Sequence, residues 1–150
     1  MSLNEELELL RNIPLFSNVE PSQLKLLAFT SDRLTFAPGQ ELFHQGDSGD
    51  TAYIIMDGEA DVTVGTPAGE ISVAKVSKND LIGEIAILCD VPRTATVKAI
   101  SEVTTLVITK DLFFRLVADF PQMGIEIMRE LARRLERTTA QLCEALSAQG

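Results

Sequence analysis

The chain has 150 residues, 45% of them hydrophobic and 23% charged, a composition suited to one soluble globular domain that buries a core without disulfide or metal staples. Its 22 acidic residues outnumber 13 basic ones for a formal net charge of −9, a field that repels nucleic acid and anionic membrane and gives any buried arginine special weight. No apolar run approaches the roughly 18–20 residues of a membrane span, and Cys89 and Cys143 lie far apart with no CxxC and no neighbouring His, so the sequence predicts a cytoplasmic protein with two reduced thiols, no membrane partner and no nucleic-acid partner.

Leu3, Leu7 and Leu10 mark one face of an opening helix over 3–11, which Pro14 is expected to stop. Ser17 and Glu20-Pro21 restart a helix at 22–29, with Leu24, Leu27 and Ala28 facing inward. From Arg33 the pattern changes to short apolar or alternating runs at 34–36, 41–44, 53–56, 60–64, 71–76, 95–100 and 104–108. Gly- and Pro-bearing turns separate them, which predicts an antiparallel barrel or jelly roll.

Lys110 opens a last helical regime: a short helix over 112–120, then a long one from Pro121 almost to Gly150. In it Met128, Leu131, Leu135, Thr138, Leu142 and Ala145 alternate spacings of three and four, an a/d seam with one hydroxyl inside it. Such a seam either lies across its own barrel or joins a second copy. A helix this long exceeds what one compact barrel covers, which favours a homodimer through it.

Enzyme chemistry finds little support. A single histidine, His44, precludes a three-histidine metal site and reads as a packed or surface residue on an alternating strand. Neither cysteine has a base beside it in sequence, and Cys89 reads as a small buried hydrophobe. The pairs Asp47/Asp50 and Asp57/Glu59 fall in turns, where Asp bonds its own backbone.

Residues 81–97, LIGEIAILCDVPRTATV, are different. Glu84 is embedded among Ile82, Ile85, Ala86, Ile87 and Leu88 and needs partners there; Arg93 follows Pro92 and leads into a strand where Thr94 and Thr96 alternate with Ala95 and Val97. The two charges could form a buried structural salt bridge. Alternatively Gly83 and the helix start behind it offer N–H groups, Arg93 a guanidinium and Glu84 a carboxylate, which together meet the needs of a ribose phosphate.

The segment resembles the phosphate-binding cassette of the cyclic-nucleotide-binding domain family, found in regulatory subunits of cAMP-dependent kinase, bacterial catabolite activators and cyclic-nucleotide-gated channels. Pro38-Gly39, Gln45-Gly46-Asp47 and Asp57-Gly58 fall where the family's β-roll turns, and Asp50-x-x-Tyr53-x-Ile55-x-x-Gly58 fits as well. The resemblance covers nearly the whole chain and implies a mainly β fold, an antiparallel β-roll or jelly roll over 32–109. N-terminal helices at 3–29 and C-terminal helices at 110–148 flank it within a single domain, 1–150. It further implies that Glu84 accepts from a ribose 2′-OH and that Arg93 pairs with a cyclic phosphate also bonded by the N–H groups of Ile85 and Ala86. Thr94, beside Ala95, would donate to phosphate or purine. Ile82 stands where many members carry Phe.

Ala132–Thr139 resembles the dimer helix of catabolite activators, in which adjacent hydroxyl residues, here Thr138 and Thr139, reach the adenine of ligands in both subunits. A polar residue that sets coiled-coil register is the other reading of Thr138. The expected protein is a non-catalytic sensor of a 3′,5′-cyclic purine nucleotide, cAMP or else cGMP, needing no cofactor and repositioning its last helix to act on an effector. The competing reading is a degenerate β-roll used for protein interaction or dimerisation.

Overall fold

The computed structural model describes residues 3–149 apart from 14, 15, 17 and 18, and omits the side chains of Leu3, Thr30, Ile85 and Gln149. The expectations at Pro14 and Ser17 lie outside the described residues. Helix α1 (Leu3–Arg11) and helix α2 (Pro21–Thr30) precede five strands: β1 (Asp32–Phe36), β2 (Glu41–Phe43), β3 (Thr51–Asp57), β4 (Ala60–Thr66) and β5 (Gly69–Val76). Strand β6 (Leu81–Ile82), helix α3 (Glu84–Cys89), and strands β7 (Thr96–Ala99) and β8 (Val103–Thr109) follow, before helix α4 (Lys110–Asp119) and helix α5 (Pro121–Gln149).

The strands form two four-stranded antiparallel sheets, ordered β1-β8-β3-β6 and β2-β7-β4-β5, the two layers expected of a β-roll. Strand β3 explains why its sequence is almost wholly apolar: it is buried on both faces. Ala52, Ile54 and Met56 join Leu10, Leu24, Leu106 and Phe113 in a core between the first sheet and the helices. Tyr53 and Ile55 turn the other way, toward Phe36, Val97 and Val103 between the sheets. Alternation along one strand thus fills two cores.

Strand β6 escaped the sequence reading because two residues are too few to show a period. It pairs Tyr53 with Ile82 and Ile54 with Leu81, and so ties the 81–97 segment to β3. Helix α2 meets the expectation for it, with Leu24, Leu27 and Ala28 buried. Arg33 closes its end: Nη1 donates to the carbonyls of Ala28 and Ser31, and Nη2 to Glu6 Oε2 at 2.6 Å.

Two details correct the sequence reading, those at Cys89 and along α5, and one at His44 decides between its two alternatives. Cys89 is exposed at the end of α3 and does not fill the core. His44 is a surface residue, and the Glu41 carboxylate 2.9 Å from Nδ1 raises its pKa. The third concerns α5: Leu131 packs toward the core, whereas Met128, Leu135, Leu142 and Leu146 are exposed. Neighbouring helical residues differ by about 100° in direction. The exposed apolar stripe therefore runs through Met128, Ala132, Leu135, Thr139 and Leu146, while Thr138 and Ala145 turn toward the β-roll and Leu142, exposed but also lining the cleft, stands at the edge between the two faces.

Leu106, fully buried on the central strand β8, anchors the helix-side core. Leu106→Ala should lower unfolding free energy by ~2–5 kcal/mol, read from the urea midpoint with an unchanged slope.

Candidate functional site

Beneath α5, the β4–β5 hairpin, α3 and the start of β7 bound a cleft of about 1040 Å³. Among the predicted site residues, Gly83, Glu84, Ala86, Arg93, Thr94, Ala95 and Thr138 line it. Ile85 contributes helical backbone within α3, its side chain lying outside the described residues. Thr139 instead belongs to the exposed stripe on α5.

Arg93 is only 5% exposed, and its surroundings account for its position. Its backbone is held by the 45–50 turn, its N–H donating to the Asp47 carbonyl at 2.8 Å and its carbonyl accepting from Gly46 at 2.9 Å. The guanidinium Nη2 donates to the Thr51 carbonyl at 2.8 Å, and Nη1 to the Gly83 carbonyl at 3.2 Å. Its Cζ lies 4.2 Å from the centre of the Phe43 ring, a cation–π contact. Two glycines make room: a Cβ on Gly49 would lie 2.3 Å from Arg93 Nε, and one on Gly83 would lie 2.7 Å from Nη1. Gly83 also has a φ of 84°, a left-handed conformation that favours glycine at this strand-to-helix corner.

These partners are carbonyls, the Thr51 hydroxyl, which accepts from Nη2 at 3.2 Å, and a ring, none of them carrying a formal charge. Arg93 has no ion pair among the described residues, and its buried Nε has no hydrogen-bond partner there. Burial pushes its pKa down, and the nearby Tyr53, Asp50, Asp47 and Glu84 work against that. A buried cation without a counter-ion is a costly arrangement that an anion would relieve.

Glu84, 2% exposed, is not the counter-ion. Its Oε1 accepts from Arg134 Nη1 of α5 at 2.5 Å, and Arg134 Nη2 donates to the Leu81 carbonyl. Arg134 Nε also stands 3.5 Å from Glu130 Oε1. Burial raises the Glu84 pKa, while Arg134 pulls it back down. The cleft thus holds two opposite buried charges that do not neutralise each other: one is tied to the long helix, the other to backbone carbonyls.

Sequence reasoning missed Arg134, Phe43 and Gly49. Arg134 carried a readable signal, since Glu130, Arg134 and Thr138 recur every four residues along one helical face. Phe43 and Gly49 carried none, because only the fold brings them to a residue more than forty positions away.

A two-sheet roll, a short helix at a glycine corner and a long helix closing over a buried arginine form a cleft with the charge and backbone donors that suit a small anion. Comparison with known proteins narrows this to a family. The profile of the cyclic nucleotide-binding domain matches residues 33–120, and the chain belongs to that family. A CRP-like cAMP-activated global transcriptional regulator of Mycobacterium tuberculosis is 31% identical over 93% of this chain and 62% of its own length. The solved Thermus thermophilus catabolite activator protein is 25% identical with a TM-score of 0.77, over 86% of this chain and 61% of that one. The regulatory subunit of a cAMP-independent protein kinase A from Trypanosoma brucei is also 25% identical, with a TM-score of 0.73, over 87% of this chain and 48% of that one. The chain therefore spans about six-tenths of the mycobacterial regulator it resembles.

Two measurements test this electrostatic picture. In the free protein, Arg134→Ala should raise the Glu84 pKa further, read from the carboxyl carbon in a nuclear magnetic resonance titration. Because burial raises the folded-state pKa above the ordinary 4.5, Glu84 favours the fold while protonated. That contribution is full below 4.5 and is lost as pH rises through the folded value. The loss should be larger in Arg134→Ala.

Proposed function

We propose that the cleft binds a 3′,5′-cyclic purine nucleotide, cAMP in preference to cGMP, without chemical transformation, and that occupancy changes the position of α5. The observation that carries this reading is the separation of Glu84 from Arg93, two buried charges in one cleft with different partners. The cyclic phosphate would approach Arg93 Nε and take further bonds from the N–H groups of Ile85 and Ala86, which have no intrahelical acceptor in the first turn of α3. Thr94 and Ala95 would border it. The ribose 2′-OH would donate to Glu84, and the purine would rest against Thr138.

Coupling follows from Arg134. A hydroxyl arriving at Glu84 alters the bond that ties α5 to the roll, and the shift in helix position is bounded by the ligand's differential affinity for the two arrangements. The exposed stripe supports a homodimer through α5, in which Thr139 would face the ligand of the partner copy. Output would then pass to an effector.

The runner-up, an interaction module with a structural Glu84–Arg93 pair, loses its premise because no such pair forms among the described residues. The net charge of −9 argues against nucleic acid for these 150 residues, and the reading is confined to them. The mycobacterial relative is named a transcriptional regulator, and the chain spans 62% of it. Among the described residues no helix is long and apolar enough to cross a membrane.

Calorimetry with cAMP and cGMP tests the reading. Binding at or below tens of micromolar is expected, and neither nucleotide binding to the folded protein sinks it. Arg93→Ala should weaken binding between about tenfold and about 150-fold, the cost of one charge-assisted hydrogen bond. Thr138→Ala should cost cAMP about fivefold and cGMP less, the loss of a neutral hydrogen bond. Leu135→Glu should shift the sedimentation coefficient from dimer to monomer.

A further inference from the structure

Away from the residues of the first cleft, α2, the start of β1, the end of β8 and α4 enclose a second cleft of about 670 Å³ that the nucleotide reading does not use. Its floor is apolar, formed by Leu27, Leu112, Leu116 and Phe120. Asp32, Asp111 and Asp119 stand around its rim with Arg115, and none of these four has an ion pair among the described residues. The rim therefore carries two negative charges in excess.

Two independent features mark the cleft as a surface built to be covered. Ser31, 7% exposed, lines it with a buried hydroxyl that has no hydrogen-bond partner among the described residues, although its own N–H and carbonyl are both engaged. Beside the mouth, Leu26 and Phe29 sit three residues apart on α2, 63% and 81% exposed. Leu26 itself lines the cleft, so its apolar surface passes out to the solvent-facing side of α2 that Phe29 shares.

We propose that this cleft is the docking site for a basic amphipathic helix of a partner protein. Apolar side chains at i, i+3, i+4 and i+7 would enter between α2 and α4, as helices lie in grooves elsewhere. Flanking Lys or Arg residues would reach Asp32, Asp111 and Asp119, and a polar group of the partner would satisfy Ser31. The charge at the rim selects a cationic occupant and rejects an acidic one, including the strongly acidic chain itself.

The test uses the nucleotide-free full chain, so it stands apart from the nucleotide reading. A synthetic peptide of Leu and Lys at helical amphipathic spacing is titrated by fluorescence anisotropy at about 150 mM salt, where nonspecific attraction is screened. Binding in the tens of micromolar is expected, with a scrambled peptide of the same composition at least about tenfold weaker. Leu26→Lys, and Asp32→Asn combined with Asp119→Asn, should each weaken binding by about tenfold; both change exposed side chains, and circular dichroism checks the fold. Amide shifts should cluster at Leu27, Ser31, Asp111 and Leu116. Equal binding of both peptides, no effect of the variants, or shifts centred on α5 would overturn the proposal.

Discussion

The structure turns on Glu84 being bonded to Arg134 and not to Arg93. A buried carboxylate nine residues from a buried guanidinium invites an internal salt bridge, and breaking such a pair by truncation costs ~3–5 kcal/mol. Here each charge is held by something else. Glu84 takes its cation from a helix that begins near residue 121, and Arg93 is clamped by carbonyls, an aromatic face and two glycine gaps. The result is a cleft whose cation is fixed in place with an unused donor.

The rest of the fold serves that arrangement. Strand β3 supplies the Thr51 carbonyl and, through β6, fixes where the cassette starts. The 45–50 turn holds the Arg93 backbone, so a loop early in the chain and a cassette in its second half form one rigid unit. Arg134 then makes α5 part of the same network. From residue 132 onward α5 is otherwise exposed, so few contacts resist its movement relative to the roll.

Much of this is legible in the amino-acid sequence. Strand spacing, turn glycines and the 3.6-residue period of the helices carry their own signals, and strand and helix starts fell within a few residues of those expected. Glu84 and Arg93 stood out because charge inside apolar sequence is unusual. What escaped had physical reasons. Strand β6 is shorter than any period. Cys89 looked like core because it ends an apolar run, but α3 is a single six-residue turn and a half whose end points outward. Phe43 and Gly49 meet Arg93 only through folding. The division of α5 into a cleft face and an exposed stripe needed the helix phase relative to the barrel, which moved Thr138 and Thr139 onto different surfaces.

The central claim is that Arg93 Nε waits for a cyclic phosphate. Titrating protein labelled with nitrogen-15 at arginine with cAMP, and following the Arg93 Nε–H resonance, tests it directly. The account predicts a downfield shift of that resonance that saturates with binding, as the unpartnered donor gains an anionic acceptor. Saturation of the protein with the Arg93 resonance unmoved would contradict it.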